Sequence, residues 1–287
     1  LDRIGKGIRG APRDALIADI TPAQIRGAAF GLRQALDTVG AFVGPLLATG
    51  LMLLWANDFR AVFWVSVLPG VLAIILLVFG VQEPKPASSA KAENPLRSAN
   101  LKRLSAAYWQ VVVIGSLFTL ARFSEAFLVL RAQQLHIAIA MIPLVMVLMN
   151  LVYAVSAYPF GKLSDRITPR CLLAAGLIVL ICADLVLAFS SHWLMLLAGL
   201  LLWGIHLGMT QGVLAAMVAN TAPADLRASA YGFFNFMCGL AMLIASSLAG
   251  LIWDQLGAAY TFYVGAMLCA GTLLFMALQA IHSVSLQ

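Results

Sequence analysis

The stretch ADITPAQIRGAAFG, residues 18–31, recurs 201 positions later as ANTAPADLRASAYG, residues 219–232. Six residues are identical at that constant offset: Ala18, Pro22, Ala23, Arg26, Ala29 and Gly31 match Ala219, Pro223, Ala224, Arg227, Ala230 and Gly232. A segment repeated across so long a distance predicts two structurally equivalent halves, as in membrane transporters built from parallel repeats.

The composition around this repeat is that of a membrane protein. Hydrophobic residues make up 62% of the chain and charged residues 10%, against about 25% charged residues in soluble domains. Apolar runs such as residues 172–189 approach the ~20 residues that a membrane-spanning helix needs. We therefore expect an all-α polytopic membrane protein with eight complete spans, at residues 34–55, 60–82, 107–130, 138–161, 171–190, 193–219, 229–253 and 258–280. The four cysteines lie in apolar segments without metal-ligand spacing, so we expect neither a metal nor another cofactor.

The connections between these spans differ in charge. Eleven Lys and Arg residues fall on one side of the membrane and two, Arg60 and Arg131, on the other. The positive-inside rule places the rich side, the C-terminus and a Pro- and Ser-containing linker at 83–106 in the cytoplasm. The chain then divides into residues 1–82, the linker 83–106 and residues 107–287, in a bacterial-type inner membrane. Topology also explains the net charge of +6, so no nucleic-acid partner is expected.

The first nineteen residues are the most densely charged part of the chain. By the 201-residue offset, Gly5 corresponds to His206 in the middle of a span, so this block is predicted to be the cytoplasmic half of a membrane helix. Asp2, Lys6, Arg9 and Arg13 fall within an arc of about 60° on that helix, and such a stripe must face protein or a wet cavity. It is either a cationic cavity wall, or a set of charges that pair with other helices while Arg13 and Asp14 reach the cytoplasm.

Three motifs carry a family resemblance. GKLSDR (161–166) resembles the cytoplasmic signature between helices two and three, or eight and nine, of the major facilitator superfamily. GAFVGP (40–45) resembles its helix-five antiporter motif, and RIGKGIRGA (3–11) resembles its helix-four motif, with Lys6 in place of the usual Gln. The resemblance implies a twelve-helix carrier made of two pseudo-symmetric bundles, of which the first is incomplete here. It also implies that Arg3 assists proton movement.

Polar residues inside the spans are the candidates for substrate or ion binding. Glu125 lies one turn from Arg122, so it either titrates or neutralises the arginine; Asp37 near a helix start either binds an ion or favours the helix dipole. We expect Asp184 either in the cavity or close enough to the outer membrane surface to be hydrated, and we favour the second alternative. Isolated polar residues also serve as interhelical contacts, and this alternative applies to the second-half candidates. The full set is Arg3, Lys6, Arg9, Arg13, Asp14, Asp37, Arg122, Glu125, Asn150, His206, Gln211 and Asn235.

A second set of residues is predicted to control access from the cytoplasm. Asp165 and Arg166 with Arg227 are expected to form a charge network that breaks when the halves rock, although the basic members alone would also set topology. Glycine permits close helix approach, which suits Gly161. The full set is Asp19, Arg26, Gly40, Gly44, Pro45, Gly161, Asp165, Arg166 and Arg227.

Together these features predict a secondary active transporter that works by alternating access. We expect proton-coupled export of a small organic compound by a monomer in a lipid bilayer. The alternatives are proton-coupled uptake of an organic anion and a non-transporting sensor with the same fold. No paired acidic motif supports an enzyme, and these 287 residues alone are not expected to transport.

Overall fold

The computed structural model describes residues 2–55, 58–80, 102–137 and 141–284, with side chains from Arg9 to Gln279 except that of residue 59. Ten α-helices and no strand occur in these ranges. The helices, in chain order, are α1 (Asp2–Ile20), α2 (Arg26–Leu54), α3 (Phe59–Gly80), α4 (Ala106–Ala121), α5 (Ala126–Gln134), α6 (Ile142–Ser164), α7 (Pro169–Ala188), α8 (Trp193–Thr221), α9 (Arg227–Leu256) and α10 (Ala258–Val284).

Eight segments of the described chain are long and apolar enough to cross a membrane, as predicted. The span predicted at 107–130 is present, but it consists of two helices, α4 and α5, separated by residues 122–125. Most of the predicted linker lies outside the described residues, and α4 begins at its last residue, Ala106.

The repeated segments adopt the same local structure. In each copy a proline is followed by one 3-10 turn, Ala23–Ile25 or Ala224–Leu226, and then by a long helix that begins at the repeated arginine. Proline fixes φ near −65° and lacks an N–H, so it fits directly before a helical segment. The 201-residue repeat is therefore a structural repeat, with α2 equivalent to α9.

Following the predicted division of the chain, we call helices α1–α3 the first half and α4–α10 the second half. The halves meet where α2 lies along α6 and α8, and where α1 packs against α9. At the α2–α6 crossing, any side chain at Gly27, Gly31 or Gly161 would collide with backbone atoms of the facing helix. Small residues on both helices thus allow the backbones to touch, which is a common basis of helix association in membranes.

The core lies in the second half, around α8. Trp203 is fully buried there, as are Tyr108, Phe118 and several leucines of α7. In contrast, no residue in the apolar segment of α3 is buried among the described residues. Since apolar side chains without protein neighbours are stable in lipid, this pattern suits a helix at the margin of the described bundle.

Candidate functional site

A cavity of about 280 Å³ lies between the two halves. Its lining combines polar groups of α1 and α2 with polar groups of α4, α8 and α9. The polar and charged residues of the wall are Asp14, Arg33 and Gln34 from the first half, and Thr119, Arg122, Gln211, Tyr231, Asn235 and Cys238 from the second. Convergent polar groups in a mostly apolar protein are typical of a small-molecule site.

The first-half wall holds an ion-pair network between α1 and α2. Arg13 lies 3.3 Å from Asp14 and 3.2 Å from Asp37, while Arg33 lies 3.0 Å from Asp37 and 3.7 Å from Asp14. Asp14 is only 7% exposed, so its charge depends on the two arginines. Two cations and two anions cancel, and the network leaves this wall close to neutral.

The break between α4 and α5 contributes Arg122 to the second-half wall. Arg122 ends α4 in an extended conformation, and the backbone N–H of Ser124 donates to Ser246 Oγ at 3.2 Å. The Arg122 guanidinium lies 3.8 Å from the Glu125 carboxylate, beyond hydrogen-bond length, and its buried Nε has no partner among the described residues. Interrupted membrane helices often line binding sites in transporters. Arg122 is thus an incompletely neutralised cation at the cavity.

Four predicted binding residues reach this cavity: Asp14, Arg122, Gln211 and Asn235. Arg13 and Asp37 do not line the cavity, but they belong to the ion-pair network that includes Asp14 and Arg33. With Arg9 and Gly40 they line a second space of about 500 Å³ on the other side of Arg33. The side chains of Arg3 and Lys6, also predicted to bind, lie outside the described residues.

Three predicted binding residues are placed elsewhere. His206 is fully buried inside the second half, where its ring stacks on Phe118 and Nδ1 lies 3.1 Å from the Gly176 carbonyl oxygen. The Asn150 side chain donates to Met146 O, one turn back on α6. Glu125 is not inside a helix but at the N-cap of α5. A polar residue at mid-helix predicts depth in the membrane, but not the direction in which the side chain points.

The expectation for Asp184 was also wrong. Its side chain is neither in the cavity nor hydrated, because its exposed fraction is 0%. The sequence carried a signal, since Leu177, Leu180, Asp184 and Leu187 recur at helical spacing and all four are buried. An acid in that register lies on the buried stripe of its helix.

Sequence reasoning missed several cavity residues. Arg33 was counted as a topology-setting charge, yet it lies seven residues into α2, about 10 Å from the helix start. Its spacing of four residues from Asp37 was the available signal, because such pairs share a helix face. No sequence pattern marked Gln34, Thr119 or Cys238.

Charged contacts also join the halves at one end of the bundle. We call this the basic end, defined by Arg26, Asp165, Arg166 and Arg227. The Asp165 carboxylate accepts hydrogen bonds from the backbone N–H groups of Gly27 and Ala28, at 2.7 and 2.8 Å. An anion at a helix N-terminus satisfies otherwise unpaired donors and interacts favourably with the helix dipole.

Two further contacts at the basic end are related by the repeat. Arg227 pairs with Asp19, and the equivalent Arg26 donates to the equivalent Asn220 at 2.7 Å. One contact is ionic and the other neutral because position 19 is Asp and position 220 is Asn. The predicted network is therefore rearranged: Asp165 binds backbone rather than arginine. Arg166 is exposed, without a side-chain partner in the part of the chain that the structure describes.

Gly40, Gly44 and Pro45, which were also predicted to control access, lie in α2 away from any close helix contact among the described residues. The helix continues through Pro45 to Leu54, and a side chain added at Gly40 or Gly44 would meet no described atom within 4 Å. The close approaches in α2 are at Gly27 and Gly31 instead.

The chain is similar to a protein family and to several individual proteins. The family model described as Major Facilitator Superfamily matches residues 3–130 and 111–283. An uncharacterised MFS-type transporter of Methanocaldococcus jannaschii is 33% identical over 274 residues, which cover 93% of this chain and 67% of that protein. An uncharacterised protein of Mycobacterium tuberculosis is 30% identical over 259 residues, 88% of this chain and 63% of that protein. The chain thus spans about two thirds of the length of these relatives.

Among solved structures, the human organic anion transporter MFSD10 superposes with a TM-score of 0.76 at 16% identity. The superposition covers 93% of this chain and 67% of that one. At this identity the likeness concerns the fold alone.

Proposed function

This chain belongs to the Major Facilitator Superfamily, and from that premise we propose that its protein exports a small organic compound in exchange for protons. The units that move are residues 1–82 and 107–287, joined by the linker 83–106. The protein works as a monomer in an inner membrane, with the C-terminus and the basic end in the cytoplasm.

The observation that supports this proposal is the cavity shared by the two halves. Asp14, Arg33 and Gln34 face Arg122, Gln211 and Asn235 across it. When a ligand binds groups of both halves, rotation of one half against the other changes its contacts. Alternating access requires such a coupling between ligand binding and the movement of the halves. A membrane sensor would not need polar groups of both halves in a shared cavity.

The charges favour a ligand with an anionic group. Asp14 and Asp37 balance Arg13 and Arg33, whereas Arg122 has only a distant partner. A guanidinium offers paired donors that fit carboxylate and phosphate groups. The organic anion transporter MFSD10, which shares the fold, supports the same substrate class.

The contacts at the basic end support a role as a gate. Asp165, Arg26 and Arg227 all bind across the boundary between the halves, so the cavity is closed on that side in this conformation. Opening requires these contacts to break together. The ligand then leaves or enters from the basic end after the halves rock.

The proposal is tested by proton movement in inverted vesicles that carry the protein expressed from its own gene. The vesicles are energised and then challenged with a panel of organic anions and cationic drugs, while internal pH is recorded. Arg122→Gln and Asn235→Ala remove cavity groups, and Arg103→Gln is the matched control because its exposed pair with Asp225 lies outside the cavity.

We expect proton release on addition of an anionic compound, its loss in Arg122→Gln and Asn235→Ala, and its retention in Arg103→Gln. A proton movement of opposite sign would replace export with uptake by symport. No proton or compound movement with correctly inserted protein would overturn the proposal and favour a sensor.

A further inference from the structure

A carboxyl group without a described partner lies inside the second half, away from the cavity. Asp184 on α7 is fully buried, and neither carboxyl oxygen has a hydrogen-bond partner among the described residues. Its neighbours along the helix face, Leu180 and Leu187, are also fully buried. An ionised carboxylate in such surroundings is strongly unfavourable, and a buried acid usually takes up a proton instead.

The position of Asp184 near the C-terminal end of α7 also disfavours the ionised carboxylate. Asp184 lies one turn before the end of α7 at Ala188, where the helix dipole is negative and disfavours another negative charge. Arg131, a cation at that end, donates to the carbonyl oxygens of Leu187 and Ala188 and to both oxygens of Ser190. Its donors are directed at the helix end and not at the Asp184 carboxyl.

The groups that face Asp184 do not form a metal site. On α10, the facing groups are Gly265 and the thiol of Cys269; on α8, the buried His206 contacts α7 at Gly176, eight residues away. The hydroxyls of Thr261 and Thr272 donate to backbone carbonyls of Ala249 and Leu268. Hard cations need about six oxygen ligands, whereas a proton needs one carboxyl oxygen.

The carboxyl group also lies close to the interrupted helix, because both are neighbours of Gly265 on α10. A Cβ atom placed on Gly265 would lie 2.8 Å from Asp184 Oδ2 and 3.0 Å from Phe123 Cε1, so all three groups meet at one point. Phe123 lies in the break between α4 and α5, directly after the cavity residue Arg122. Its ring packs on Trp203 and Phe262 with centroids 5.5 Å apart in each case. Phe123 is thus one of the buried groups that enclose Asp184 on the side of the α4–α5 break.

We propose that Asp184 is a proton-binding site inside the second half, and that its proton is exchanged only when the α4–α5 break at Phe123 moves. On release the carboxyl O–H bond breaks, the electron pair stays on the carboxylate oxygen and the proton passes to water. Phe123 directly follows Arg122 in the chain, and Arg122 lines the cavity. A movement of the break at Phe123 therefore also moves a residue of the cavity wall. The consequence for transport rests on the function proposed above, whereas the protonation itself does not.

Infrared spectroscopy of the purified protein tests the protonation directly. The carbonyl stretch of a neutral carboxylic acid is recorded near pH 7 for wild type, Asp184→Asn and Asp254→Asn. Asparagine imitates the neutral acid in shape, and Asp254 on α9 is an exposed control. We expect a band in wild type and in Asp254→Asn that is lost in Asp184→Asn. Identical spectra for wild type and Asp184→Asn would overturn the proposal.

A second measurement tests the link to the helix break. The labelling rate of Cys238, which lines the cavity, is followed against pH with the other cysteines replaced. Thiol ionisation makes the rate rise with pH in every variant, so the ratio of the wild-type rate to the Asp184→Asn rate is the readout. We expect this ratio to change with pH, whereas the ratio of wild type to Asp254→Asn stays constant; a constant ratio in both comparisons would overturn the link. If the infrared band is present but no compound moves in the vesicles, the proton site stands and the transport function fails.

Discussion

Replacing Asp165 with asparagine is expected to weaken closure at the basic end about 30-fold. The Asp165 carboxylate accepts two N–H groups from the start of α2. Asparagine keeps one acceptor oxygen but turns its NH₂ group, a donor, towards the second N–H. A hydrogen bond to a charged group contributes about 1.5–3 kcal/mol and an anion at a helix N-terminus a further 0.3–1 kcal/mol. Because Asp165 is partly exposed, we take about 2 kcal/mol in total, and 1.4 kcal/mol is a factor of ten.

Cys238 provides the assay, because it lines the cavity while Cys171 and Cys182 are exposed on other surfaces and Cys269 is buried. With Cys238 as the sole cysteine, a membrane-impermeant maleimide is added from the basic end. Labelling should be slow in wild type and about 30-fold faster in Asp165→Asn, in proportion to the open population. Asp254→Asn, which removes the same charge from an exposed site, is the control. Equal rates in wild type and Asp165→Asn would refute the reasoning.

Three further changes probe other contacts. Asn220→Asp should convert the contact with Arg26 into an ion pair like that of Arg227 with Asp19; an exposed pair contributes at most about 1 kcal/mol, so Cys238 labelling from the basic end should slow by up to about fivefold. Gly161→Ala should speed the same labelling, since its Cβ would strike the backbone of Gly27, whereas Gly271→Ala, with open space around it, should not. Arg131→Ala should lower thermal stability by about 2 kcal/mol, because several hydrogen bonds to the end of α7 are lost; an unchanged melting curve would contradict that role.

The architecture could be read from the sequence because it depends on composition and repetition. Apolar runs require membrane helices, and the matching segments 18–31 and 219–232 indicated two equivalent halves. The structure places the repeated arginines at equivalent helix starts, Arg26 and Arg227. The contacts of Arg227 with Asp19 and of Arg26 with Asn220 are related by this symmetry, although neither contact was itself predicted.

The break at residues 122–125 could not be predicted, since the local sequence ARFSEAF contains neither Gly nor Pro. The direction in which polar side chains point from their helices could not be predicted either. His206 and Asn235 are both polar residues inside long membrane helices, yet only Asn235 faces the cavity. A nearly uniform apolar helix such as α8 has no polar face from which the orientation could be inferred.

Distance measurement across the basic end tests the central claim that the halves rock around the shared cavity. Ala23 and Ala224 are equivalent, exposed positions in the two 3-10 turns, and spin labels there report the separation of the halves by double electron–electron resonance. With the native cysteines replaced, we expect one short distance in wild type and an added longer distance when a transported compound binds or when Asp165 is asparagine. A single unchanged distance under all these conditions would contradict alternating access.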